Sequence, residues 1–65
     1  MSKSLALSRV LTHCYFLSIT TGKNLEQVKS LYRDMIAEAS KGLTSDEIAR
    51  IKIKARQMAI VQAVS

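Results

Sequence analysis

His13 and Cys14 are the one adjacent pair in this 65-residue chain that could supply a nucleophile and its base. Their spacing works against that role. Consecutive side chains on a helix point about 100° apart and do not face one another. No second histidine and no acid close in sequence is present to orient a base. Cys14 also falls on an apolar helical stripe, where a free cysteine behaves as a small buried hydrophobe. Thr20-Thr21-Gly22-Lys23 shares its Gly-Lys with phosphate loops. That pattern needs a further glycine upstream and Ser or Thr after the lysine, and here Asn24 follows. A single His and a single Cys also fall short of the four ligands of a structural zinc site. The expectation is a non-enzymatic chain with no metal and no cofactor.

The residues with more to offer are Arg50, Lys52, Lys54 and Arg56. All five acids lie between Glu26 and Glu47, so residues 1–25, 26–47 and 48–65 carry +3, −2 and +4. Arg50 and Lys54 are four apart and share one helix face; Lys52 and Arg56 share another. Long basic side chains of this kind often flank a buried seam with their stems packed on it. They also form an electrostatic footprint for nucleic acid or for an acidic protein partner. Residues 33–65 hold no aromatic side chain, which removes base stacking on single strands and leaves phosphate contact. A helix-turn-helix reading, with Leu43 to Ala49 positioning and Ala55 to Met58 opening a recognition helix, needs a turn at Lys52-Ile53-Lys54. No glycine breaks the helix there.

The elements that must position these residues are set by two glycines and two caps. Gly22 can close one helix in the left-handed conformation. Asn24 can then accept from the amide of Gln27 while Gln27 reaches back, a capping box. The second boundary is Lys41-Gly42-Leu43-Thr44-Ser45-Asp46-Glu47-Ile48. Gly42 ends a helix, Thr44 and Glu47 form a capping box, and Leu43 and Ile48 occupy the positions of a hydrophobic staple. Asp46 and Glu47 complement the positive end of the helix dipole, and Lys41 the negative end of the preceding helix. Helices are expected over Ser4–Thr20, Leu25–Lys41 and Ser45–Val64. Ile51-Lys52-Ile53-Lys54 alternates like a strand, but the cap before it and Ala55, Met58, Ala59 and Ala63 after it favour helix.

Leu25, Val28, Tyr32, Met35, Ile36 and Ala39 make one apolar stripe, and Ile48, Ile51, Ala55, Met58 and Ala59 another. The short Gly42-Leu43-Thr44 connection predicts that these two helices pair as an antiparallel hairpin. On the first helix Leu7, Val10, Leu11, Cys14 and Leu17 share a face. Leu5, Phe16 and Ile19 lie off it, and Ile53, Ile60 and Val64 form a second stripe on the last helix. One hairpin cannot bury two faces of both helices. The expected fold is therefore all-α: a single domain over residues 1–65, with a short N-terminal helix packed on a helical hairpin. A chain this small buries only about 60% of its unfolded surface. With no disulfide available, self-association or a protein partner is expected to cover Leu5, Phe16, Ile19, Ile53, Ile60 and Val64.

Leu31-Tyr32-Arg33, within Ser30-Leu31-Tyr32-Arg33-Asp34-Met35-Ile36, is similar to the motif opening the first helix of LYR-motif proteins. Those are small basic helical adaptors of mitochondrial iron–sulfur and respiratory-complex assembly. The resemblance implies acyl carrier protein and a client complex as partners. This chain departs from that pattern: a helix precedes the motif, the usual downstream Phe is missing, and little chain follows for a third helix. By its place in the periodicity, Tyr32 belongs to the hairpin seam and Arg33 to its solvated edge.

The stretch from Leu5 to Ile19 is too short and too interrupted, by Arg9 and His13, to span a membrane, which needs about 20 apolar residues. Residues 1–22 partly fit a mitochondrial presequence, being basic, acid-free and rich in Ser and Thr. With Lys3 and Arg9 its only charges and no Trp, the first helix is a sparse candidate for a membrane surface. The lone cysteine favours a reducing compartment, and the cytoplasm is the expected location.

Overall fold

Gly22 and Gly42 adopt φ of 75° and 82°, the left-handed region that side chains with a Cβ avoid. They punctuate the chain as the sequence implies. The Gly22 amide donates to the Ser18 carbonyl at 3.0 Å, the bond that closes a helix through a left-handed residue. The computed structural model describes residues 3–65, with Lys3 by its backbone alone. It is all-α. Among these residues the helices are α1 (Lys3–Thr21), α2 (Leu25–Leu31), α3 (Arg33–Ser40) and α4 (Ser45–Val64), with no strand. The alternation at Ile51–Lys54 is thus part of a continuous helix. Met1 and Ser2, the start of the stretch read as presequence-like, lie outside the described residues.

Both caps are present, and one differs from expectation. The Thr44 hydroxyl accepts from the Glu47 amide at 3.1 Å, and the Glu47 carboxylate accepts from the Thr44 amide at 3.0 Å. That is the complete capping box at the start of α4. Asn24 instead caps α2 alone: its Oδ1 accepts from the Glu26 amide at 2.8 Å, two residues on rather than three. Lys41 caps α3 and pairs with Glu38 at 2.9 Å.

The helix expected over residues 25–41 is bent into two. Tyr32, at φ −114° and ψ 18°, leaves helical geometry. Its amide donates to the Lys29 carbonyl at 3.1 Å, while the Ile36 amide takes up the Tyr32 carbonyl to begin α3. No Pro or Gly stands at the bend. The Ser30 hydroxyl donates to the Glu26 carbonyl at 3.0 Å one turn earlier, a back-bond that bends helices. The Tyr32 side chain is also tied to α1. The bend gives α2 and α3 separate lines of approach to that helix.

α1 is the centre of the fold. At 19 residues it nearly equals the 20 of α4, so the expectation of a short N-terminal helix is corrected. Its closest neighbour is α4, followed by α3 and α2, and α4 makes its extensive close approach to α1 rather than to α2 or α3. The hairpin expected from the short 41–44 connection is therefore not the main seam. Four residues of α1, Leu7, Val10, Leu11 and Cys14, recur at three and four and supply most of the buried core. Val28 adds to it from α2, and Ala55 and Ala59 from α4. Fully burying a side chain such as Leu7 or Leu11 contributes roughly 1.5–3 kcal/mol, whereas an alanine gives little area. The alanines serve another purpose: small side chains let the α1 and α4 backbones come close. Tyr15, Leu17, Leu25, Tyr32, Ile36, Ala39, Leu43, Ile48 and Ile51 close the edges of this core.

Met35 and Met58, expected in the buried stripes, are 59% and 51% exposed. In α4 the stripe is centred on Ala55 and Ala59, which leaves Met58 at its margin. In α3 the bend at Tyr32 turns Met35 away from α1.

Candidate interaction surface

The two groups that suggested catalysis point in different directions. Cys14 is wholly buried, and desolvation raises its thiol pKa, with Lys29 partly offsetting this. It is held as a thiol rather than the reactive thiolate at neutral pH. His13 is exposed, and its Nε2 lies 3.0 Å from the Tyr32 hydroxyl. Among the described residues no three His, Cys, Asp or Glu side chains converge as metal ligands would. No helix among them is long and apolar enough to cross a membrane.

The apolar residues singled out from sequence occupy two sides of the molecule. Leu5 and Phe16 lie along one groove between α1 and α4. With Arg9, His13 and Leu17 of α1 and Met58 and Gln62 of α4 they line an open groove of about 530 Å³. Ile19, 47% exposed, lies outside that lining. Ile53, Ile60 and Val64 stand on α4 at 61%, 44% and 79% exposure, on the side away from Ala55 and Ala59. Met58, Val61 and Val64 recur every three residues and step around α4 from the groove to this outer face. Val61, 62% exposed, falls outside both expected stripes of α4, although the Ile60-Val61 pair signals it. Leu31 and Met35, both exposed and four apart, form a smaller apolar spot at the bend between α2 and α3. The continuous stripe expected over residues 25–41 does not reveal it, because that stripe carries no bend at Tyr32.

Arg50, Lys52, Lys54 and Arg56 are all exposed. Among the described residues no salt bridge involves Lys52, Lys54 or Arg56. Arg50 approaches Glu47 closely enough to help lower its carboxyl pKa, but that carboxylate is already engaged in the cap. Arg56 also acts on the Tyr15 phenol of α1, at the edge of the core. With Ile51, Ile53 forms a shallow apolar hollow whose other lining residues are Arg50 and Lys54.

No family model, curated protein or solved structure matches the chain. The short likeness at Leu31-Tyr32-Arg33, which spans the join of α2 and α3, thus stands without a wider match.

Proposed function

We propose that this chain is a small non-enzymatic regulator or adaptor that acts by binding another protein through apolar helix faces. One observation carries the reading. The helix that buries only Ala55 and Ala59 fully on its inner side presents Ile53, Ile60 and Val64 to solvent on its outer side. Exposed aliphatic side chains grouped on one helix face of a small domain, here interrupted by Gln57, mark an interaction site. Self-association belongs to the same reading, with Leu5, Phe16 and Ile19 on α1 as a second surface for a homodimer. A reducing compartment, the cytoplasm, suits a chain whose single cysteine is a buried free thiol.

The test is affinity capture of the tagged chain from its native cells, with and without nuclease, joined to sedimentation of the purified protein. The expected result is a protein partner that survives nuclease and is lost with Ile60→Glu. A compact monomer that retains no partner overturns the reading.

A second reading is supported by the four exposed cations of α4: a nucleic-acid-binding transcriptional regulator using Arg50, Lys52, Lys54 and Arg56. It requires a nuclease-sensitive complex and binding to duplex DNA. The affinity should fall with salt at a log–log slope of about −0.9 per phosphate contacted.

A further inference from the structure

The cations of α4 are arranged around one residue. Ile53 has Lys52 and Lys54 as its immediate neighbours and Arg50 and Arg56 three positions to either side. At about 100° per residue, the positions three away lie about 60° to the left and right of Ile53, and the adjacent ones about 100° to each side. Each flank of the exposed ridge therefore carries one Arg and one Lys. Beyond Arg56 the chain has no ionisable side chain, and the ridge continues as Ile60, Val61 and Val64. The outer face thus has a mostly cationic half around Ile53, preceded by Asp46, and beyond Gln57 an uncharged half that holds Ile60, Val61 and Val64. From Ile53 to Val64 it runs about 16 Å, or three turns.

We propose that this face receives an acidic amphipathic helix of a partner protein. This rests on the protein-binding reading above and names the partner's chemistry. The partner's apolar ridge meets Ile53, Ile60 and Val64, while carboxylates on both sides of one end of that ridge meet the four cations. Helix pairs use flanking charges in this way to fix partner and orientation. The cations are available for it, because Lys52, Lys54 and Arg56 make no salt bridge among the described residues.

Charge decides against the other occupants. A second α4 packed in parallel sets one cationic collar against the other. Packed antiparallel, it can set Asp46 of each copy against a cation of the other, but one acid per copy leaves most of the four cations of each without counter-charge. A row of phosphates offers nothing apolar to Ile53, Ile60 and Val64, and residues 33–65 contain no aromatic to stack or to anchor at a lipid interface.

The experiment titrates the full chain against two synthetic helical peptides about four turns long. Both carry the same leucine ridge, with flanks that are all Glu in one and all Lys in the other. Duplex DNA and phosphatidylserine-containing vesicles are tested in parallel. The Glu-flanked peptide should bind at least about tenfold tighter than the Lys-flanked one, and its affinity should fall between about 0.05 and 0.5 M salt. Lys52→Glu combined with Lys54→Glu, which takes the collar from four positive charges to a net of zero, should abolish the peptide preference with helicity unchanged. The salt titration on the unaltered chain tests the charge contribution independently of that variant. Equal binding of both peptides, lost for both with Ile60→Glu, overturns the acidic-helix proposal while leaving the protein-binding reading standing. Binding of DNA or vesicles but of neither peptide, insensitive to Ile60→Glu, overturns both. A dimer that Ile60→Glu disperses would show that a second copy covers the face, and would also overturn the proposal.

Discussion

His13 and Tyr32, nineteen positions apart, meet twice: Nε2 lies 3.0 Å from the phenol oxygen, and the rings stand edge to face with centroids 5.3 Å apart at 89°. The contact ties α1 to the bend between α2 and α3. It orients one surface histidine and anchors one half-buried tyrosine. A double-mutant cycle with His13→Ala and Tyr32→Phe, read by urea denaturation, should give a coupling of about 0.5–1.5 kcal/mol. Additive losses would show that the pair is adjacent but not coupled. Loss of the tie should also speed hydrogen exchange at the amides of α2 before those of α4.

The α1–α4 seam should tolerate no added bulk. Ala55 is fully buried where α4 meets α1, and Ala55→Leu should cost about 1–3 kcal/mol by overpacking. That is a large part of the roughly 3–10 kcal/mol expected for a domain of this size. Ile53→Ala, two residues away on the outer face, should change stability by less than about 0.5 kcal/mol. Denaturant midpoints of the two variants test this directly. Equal destabilisation would mean that the outer face is buried in the free protein.

The start of α4 rests on the Thr44–Glu47 box. Thr44→Ala should cost about 1 kcal/mol. Glu47 adds a pH dependence, since the hydrogen bonds with Thr44 hold its carboxyl below the ordinary glutamate range, with Arg50 helping. A group with a lowered folded-state pKa stabilises above its unfolded value, and that contribution is lost as pH falls through the lowered value. Glu47→Gln should therefore flatten part of the acid limb of the stability curve. An unchanged limb would place the acid sensitivity in other carboxylates.

Burial pushes the Cys14 thiol up, with Lys29 opposing, and burial also raises the Tyr15 phenol, with Arg56 opposing. The sign is the reverse of that for Glu47. Stability is complete below the unfolded-state pKa values and declines as pH rises through the folded ones. Thermal melts should fall on the alkaline side, and less so for Cys14→Ala relative to its own neutral-pH value. In the native protein at neutral pH, Cys14 should react with a disulfide reagent roughly 100-fold more slowly than in urea, because opening must precede attack. Comparable rates would contradict its burial.

Chemistry written within one turn of the chain was legible from the sequence by itself. Gly22 and Gly42 mark the helix ends because only a residue without Cβ takes their φ freely. Thr44 and Glu47 specify the start of α4 because both bonds of the box form within four residues. The spacing of Leu7, Val10, Leu11 and Cys14 selects the buried face of α1, and that of Ile53, Ile60 and Val64 the exposed face of α4. What the tertiary structure decided is which helices pair. Connection length favours a hairpin of the last two helices. Ala55 and Ala59 instead let α1 come closest to α4, and the bend at Tyr32 lets α2 and α3 each reach α1. These outcomes depend on contacts far apart in sequence, including His13 with Tyr32, which no local periodicity encodes. The same long-range packing leaves Met35, Met58 and Val61 exposed. It also leaves Ile53 exposed between Arg50 and Lys54, in a hollow floored by the core-edge Ile51.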